Sequence, residues 1–261
     1  MEQRMYLREW QGVILGDLPA ARTLGDACVS AEFYGQLSAA LKERAHRDDA
    51  WVRAKQDFGS QLNERFFRPY SERTGQPARI LALGVGEAWA ESAWADAGHA
   101  LTFHDGHETY LAGLRERYPT ASFAVGDLHT FEPATQVDFI TMLATDFVMQ
   151  RAELGALLRR LAPHLAPGGA VLIFCPNVLN LRRIAVDFVR RMLGRFRNGA
   201  WVFWGYWRSP GEFAHAARDT GLKLTQSFRF APGGFAEVSA LWRLLPLRES
   251  LGLFVLTHPA K

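Results

Sequence analysis

Cysteine is almost absent. Cys28 and Cys175 are the only two in 261 residues. So far apart, they make neither a disulfide framework nor a metal-ligand pattern, and a reduced, cytoplasmic setting is the expectation. Long apolar runs are missing too: none approaches the ~20 residues that cross a bilayer. The first residues, Met1 to Met5, carry no apolar segment of the kind a secretory signal needs. Nor does one charge dominate. Thirty Lys and Arg against 27 Asp and Glu leave a formal +3, which does not call for a general nucleic-acid-binding role. No repeat, low-complexity stretch or metal-ligand cluster is visible.

What is present is ordinary globular material, 48% apolar and 22% charged, enough to bury a core. Residues 1–76 read as a mostly helical extension. Phe33, Leu37, Ala40 and Leu41 recur at helical spacing between Ala31 and Arg44. Trp51, Ala54, Phe58, Leu62 and Phe66 do so between Trp51 and Tyr70. A turn at Arg73 to Pro77 closes this part.

From residue 77 to 261 short apolar runs alternate with helical stretches. Strands are expected at Arg79 to Leu83, Ala100 to His104, Ser122 to Val125, Val137 to Leu143 and Ala170 to Cys175. Helices are expected at Ala88 to Ala97, Thr109 to Tyr118 and Glu153 to Leu165. This alternation predicts a parallel sheet with crossover helices. A helix from Pro210 to Thr220 and two closing strands, Leu222 to Phe230 and Gly252 to His258, suggest an antiparallel edge hairpin or a connection that inserts the last strand. The expected fold is α/β and Rossmann-like, a seven-stranded, mostly parallel sheet with helices on both faces, plus the N-terminal extension.

The chemistry-bearing pieces sit in loops after strands. Leu83-Gly84-Val85-Gly86 follows the first strand, where glycine lets the backbone turn tightly and approach a ligand. Asp105 and Gly106 follow the second, roughly 20 residues on, where a carboxylate accepts from ribose hydroxyls. Gly126-Asp127-Leu128 follows the third. Ala144 to Phe147 follow the fourth, and Pro167-Gly168-Gly169 precedes the fifth. A glycine turn alone is weak evidence, since such turns are common for backbone reasons.

In order, the run from Arg79 to Asn177 resembles the core of class I S-adenosylmethionine-dependent methyltransferases, closest to the quinone, small-molecule and sugar branch. The resemblance implies S-adenosylmethionine as methyl donor and S-adenosylhomocysteine as product. It implies that Gly84 and Gly86, with Leu83 and Val85, back onto the methionine part. Asp105 with Gly106 would hold the ribose, Asp127 and Leu128 would border the adenine, and Ala144 to Phe147 would face donor and acceptor. Two departures stand out. The acid usual two residues before the first glycine is Ala82 here, and the histidine frequent after strand four is absent.

Methyl transfer is an in-line displacement at an activated sulfonium, so alignment and water exclusion are the protein's tasks. An oxygen acceptor also sheds a proton. Asp146 and His129 are the candidate bases; a helix N-cap and a solvated loop histidine are the competing readings. His104, His107 and His215 are further possibilities. The insertion at 178–209 carries Arg182, Arg183, Arg190, Arg191, Arg195 and Arg197 against Asp187, then Trp201, Phe203, Trp204, Tyr206 and Trp207. It reads as an acceptor wall, as a peripheral membrane contact through 181–207, as a phosphate-binding surface, or as a plain solvated helix.

The expected function is methylation of a small-molecule, sugar or lipid-like acceptor, with a homo-oligomer possible and no nucleic-acid partner, since no Asn-Pro-Pro-Tyr-type motif follows strand four. The alternatives are a catalytically degenerate scaffold, motivated by Ala82, and a nicotinamide-dependent oxidoreductase, disfavoured because Trp89 stands where that fingerprint wants a third small residue.

Overall fold

The computed structural model describes residues 31–146, 149–176, 208–231, 234–237 and 252–259, with short pieces at 5–6, 9–10, 13–14, 178, 185, 188–189, 192–193 and 201–202. Among the described residues three α-helices precede the sheet: α1 Ala31–Arg47, α2 Asp49–Leu62 and α3 Arg68–Thr74. Asp48 caps α2 by accepting from the Trp51 amide at 2.9 Å. A π-turn at Asn63–Phe67 joins α2 to α3. The single helix expected from Trp51 to Tyr70 is therefore interrupted, and it ends at Gly75 in the left-handed conformation that glycine adopts without strain.

The strands are β1 Arg79–Leu83, β2 Ala100–Asp105, β3 Ser122–Val125, β4 Val137–Leu143, β5 Leu165–Cys175, β6 Lys223–Ala231, β7 Gly234–Glu237 and β8 Gly252–Thr257. Between them run α4 Ser92–Asp96, α5 Glu108–Arg117, α6 Arg151–Leu161 and α7 Pro210–Ala216. The sheet order is β7-β6-β8-β5-β4-β1-β2-β3. Strands β1 to β5 pair in parallel, and β8 inserts antiparallel between β5 and β6. The expected Rossmann-like sheet is present with eight strands rather than seven. The addition is β7, an antiparallel partner of β6 that the sequence reading did not expect.

Two other expectations change. The helix predicted from Ala88 starts only at Ser92, because Ala88 sits at φ 50, outside helical space. The Pro167-Gly168-Gly169 turn lies inside β5, at a register shift of the β4–β5 ladder.

Burial follows the sheet. Strand β4 is buried along nearly its whole length, as a central parallel strand must be. One apolar layer packs α6 and α7 against one face, through Leu154, Leu158, Leu161 and Phe213. The other packs α2 to α5, through Phe58, Leu62, Phe67, Trp94 and Leu111. Helix α2 lies so close that a Cβ on Gly59 would be 2.0 Å from the Ala90 carbonyl oxygen, and the Trp94 indole donates to the Gly59 carbonyl at 2.8 Å. The extension thus braces the chain that follows the first loop of the sheet.

Asp138, read in sequence as part of the strand-four pattern, is a structural anchor. Its carboxylate accepts from the Arg79 amide and guanidinium and from the Tyr70 hydroxyl, at 2.8 to 3.1 Å. Burial alone would raise its pKa, but these donors, Arg79 foremost, hold it below the usual carboxylate range.

Candidate functional site

Strand order reverses at β1: the chain moves outward to β2 and β3, then returns to β4 on the other side. In an open α/β sheet such a switch point leaves a crevice at the carboxyl ends of the strands. The loops after β1, β2, β3 and β4 all meet there, and hydrogen bonds knit them together. Gly84 and Val85 donate from their amides to the His104 carbonyl at 2.8 and 3.2 Å. Gly126 donates to the Asp105 carbonyl at 3.1 Å, and Ala144 to Phe174 at 2.9 Å. The Thr145 hydroxyl donates to the Leu83 carbonyl at 3.3 Å.

Gly84 and Gly86 both have positive φ, 66° and 53°. Their surroundings differ. A Cβ on Gly84 would lie 2.8 Å from the Thr145 hydroxyl, whereas one on Gly86 meets nothing within 4 Å. Space at Gly86 is what a ligand-approach glycine requires. Two non-glycine residues, Ala88 and Ala144, are also left-handed, and both stand in these same loops. Strain held in this way gathers at functional sites, at a cost of about 1–3 kcal/mol each.

Asp105 is 4% exposed. Its Oδ2 accepts from the Gly86 amide at 2.9 Å and its Oδ1 from the His107 amide at 3.1 Å. Burial pushes its pKa up, and those two amides restrain the rise. Each carboxylate oxygen keeps lone pairs beyond these bonds, so the group can shape the loop and still accept from a diol. Gly106 is exposed beside it.

Asp127 accepts from the His129 amide at 2.9 Å and from its ring at 2.8 Å. Burial works against its charge, but the His129 bonds and Arg160 hold its pKa below the usual value. Leu128 tucks toward the α6 core, its carbonyl accepting from Arg160 at 2.8 Å.

The candidate bases are placed differently from expectation. Asp146 is fully buried, and its Oδ2 lies 3.7 Å from the Arg208 guanidinium. It faces a protein cation, not an open crevice. His129 is exposed but shared between Asp127 and Glu153, which is 3.6 Å from its Nε2. His104 is buried against Phe131, ring centroids 4.1 Å apart, and burial lowers its pKa to about 4, which keeps it neutral. His107 marks the start of α5 and His215 is exposed on α7. Cys175 is buried in the core. Phe147, the insertion arginines and Phe203, Trp204, Tyr206 and Trp207 lie outside the described residues.

Sequence reading missed Arg208 and the α1 residues Ser38 and Lys42, which contact Glu87. None belongs to a local motif; each reaches the site across many residues. Glu91 was missed too. It is buried behind the glycine loop, and burial raises its pKa to about 7.

Residues 80–169 match the family model described as "Methyltransferase domain". Among solved structures, the mitomycin 7-O-methyltransferase MmcR is 16% identical, with TM-score 0.60; the match covers 89% of this chain and 59% of that one. An O-methyltransferase from neocarzinostatin biosynthesis, in complex with S-adenosylmethionine and 2-hydroxy-5-methyl naphthoic acid, is 16% identical, with TM-score 0.55, over 90% and 61% of the two chains. The magnesium protoporphyrin IX methyltransferase from Synechocystis, with bound S-adenosylhomocysteine, is 11% identical, with TM-score 0.53, over 80% and 87%. This chain spans about three fifths of the two O-methyltransferases. At these identities the likeness establishes the fold. A sequence comparison with curated proteins finds no match.

Proposed function

We propose that this chain, whose core is a class I S-adenosylmethionine-dependent methyltransferase domain, transfers a methyl group to a small-molecule, sugar or lipid-like acceptor. The observation that carries the reading is the pairing of Gly86 with Asp105 at the switch point: open space in front of the glycine, and its amide held at 2.9 Å by a buried carboxylate.

The residues fit the donor. Gly86 allows close backbone approach to the methionine part while Gly84 lets the loop turn against Thr145, Asp105 offers acceptor oxygens to the ribose hydroxyls, and Asp127 with Leu128 borders the adenine. When bound, the donor supplies a sulfonium-activated methyl group. The chain's part is to orient it, exclude water and present the acceptor in line. Asp146, sealed against Arg208, is not arranged to take a proton from an acceptor, and His129 already has a ring nitrogen held by Asp127 and its other side toward Glu153. The reading therefore favours an acceptor whose own acidity or amine character provides the nucleophile.

The insertion favours an apolar or anionic acceptor. Phe188, Val189 and Leu193 are large apolar side chains more than half exposed, in a stretch with Arg190, Arg191, Arg195 and Arg197. The same features suit contact with an anionic membrane surface, and among the described residues no helix is long and apolar enough to cross a membrane.

Calorimetric titration of S-adenosylhomocysteine, with NAD as a parallel ligand, tests the proposal. Binding of the homocysteine compound alone is the expected result. Failure of the purified chain to bind it favours the degenerate-scaffold alternative.

A further inference from the structure

The acid that commonly precedes the first glycine is Ala82, fully buried in β1, where a carboxylate would have no solvent. A carboxylate is nevertheless present on the same loop. Glu87 directly follows Gly86, and its side chain is 16% exposed. Two residues of α1 fix it. The Ser38 hydroxyl, itself 5% exposed, donates to Glu87 Oε1 at 2.8 Å. The Lys42 ammonium is 3.6 Å from the same oxygen. Tyr110 is buried beside them, meeting Ser38 and facing the charges of Glu87 and Asp105. Both fixing contacts fall on Oε1, so among the described residues Oε2 has no hydrogen-bond partner.

We propose that Glu87, positioned by Ser38 and Lys42 of α1, binds the α-amino group of the donor in place of the acid absent at Ala82. The inference rests on the donor reading above. It assigns the N-terminal extension a role: α1 supplies the hydroxyl and ammonium that orient a loop carboxylate toward the methionine end. A half-buried carboxylate fixed on one oxygen presents the other to an ammonium with little further loss of side-chain freedom. Its neighbour Gly86 is tied to Asp105, so one loop would grip both the amino-acid end and the ribose of the same ligand.

The test compares two ligands, S-adenosylhomocysteine and 5′-methylthioadenosine, which lacks the amino-acid end. Glu87→Gln removes the charge and keeps the shape. Ser38→Ala removes the positioning hydroxyl. By calorimetry Glu87→Gln is expected to weaken S-adenosylhomocysteine binding about tenfold or more, the usual scale for a charge-assisted hydrogen bond, and Ser38→Ala, which removes only a positioning contact, about fivefold. 5′-Methylthioadenosine affinity should stay within about twofold in both, on the same scale. Equal losses for the two ligands would mean a merely structural role and overturn the assignment, as would unchanged binding of both. If the unaltered chain binds neither ligand, the donor reading itself fails. Thermal unfolding of each variant separates misfolding from lost contacts.

Discussion

Arg208 and Asp146 are sealed inside the protein together. The guanidinium lies 3.7 Å from the Asp146 carboxylate, donates to the Asp146 carbonyl at 2.8 Å and reaches the Met149 carbonyl as well. Arg208 also bridges in parallel to Val178, so the two ends of the insertion lie side by side. Removing one member of a buried pair strands the other charge, at about 3–5 kcal/mol. Arg208→Met should lower stability by that order. Asp146→Asn combined with Arg208→Met should recover part of it. A double-mutant cycle by thermal or urea unfolding checks this, and additive losses would rule out the coupling.

The two loop glycines should separate stability from binding. At Gly84 an added methyl meets left-handed backbone strain of about 1–2 kcal/mol and Thr145 at 2.8 Å. Gly84→Ala should therefore lower the melting temperature by several degrees. At Gly86 the strain is similar but the space is open, so Gly86→Ala should cost only about 1–2 kcal/mol in stability. Its methyl would instead occupy the crevice and weaken S-adenosylhomocysteine binding at least about tenfold, since overpacking a fitted site typically costs 1–3 kcal/mol. Unfolding curves and calorimetry on the same preparations test the contrast. Equal binding by Gly86→Ala and the unaltered chain would remove Gly86 from the site.

The strand boundaries were legible because β1, β3 and β4 are short apolar runs bounded by turn residues, and their predicted limits match those observed. The helix after the glycine loop was not, because Ala88 is a good helix former held at positive φ by its surroundings, an override that no local propensity reveals. Strand β7 was hidden because it is only four residues long and opens with a glycine, a residue depleted in strands. At the site, the residues on loops could be found from spacing. Those reaching in from elsewhere could not: Asp146 looked like an exposed base until Arg208, far along the chain, proved to be its partner.

Two buried titratable groups should give opposing pH slopes. Burial raises Glu91 to about 7, so its contribution to stability is complete below its ordinary value near 4.5 and is lost as pH rises through 7. Burial lowers His104 to about 4, so its contribution is complete above about 6.5 and is lost as pH falls through 4. Between these limits the slopes offset. In Glu91→Gln the fall toward pH 7 should vanish and the His104 rise should dominate between about pH 4 and 6.5, a change on the order of 3 kcal/mol. Melting temperatures measured from pH 4 to 8 test this, and a variant profile parallel to the unaltered one would contradict it.

Asp127 offers a test of donor orientation independent of any acceptor. Its carboxylate is fixed by the amide and ring of His129, so one member of the pair can read the adenine amino group while the other holds it in place. S-inosylhomocysteine carries a carbonyl where the adenine compound carries that amino group, and two oxygens then face each other. The unaltered chain should prefer S-adenosylhomocysteine by at least about tenfold, because an unmatched polar group in a site costs about 1–3 kcal/mol. Asp127→Ala should abolish that preference. His129→Ala should reduce it about two- to fivefold, as loss of one positioning hydrogen bond predicts, and should leave discrimination against ligands without a ribose unchanged. If His129→Ala preserved donor selectivity in full but stopped methyl transfer to an identified acceptor, the base role set aside above would have to be restored, with Asp127 as the group that orients it.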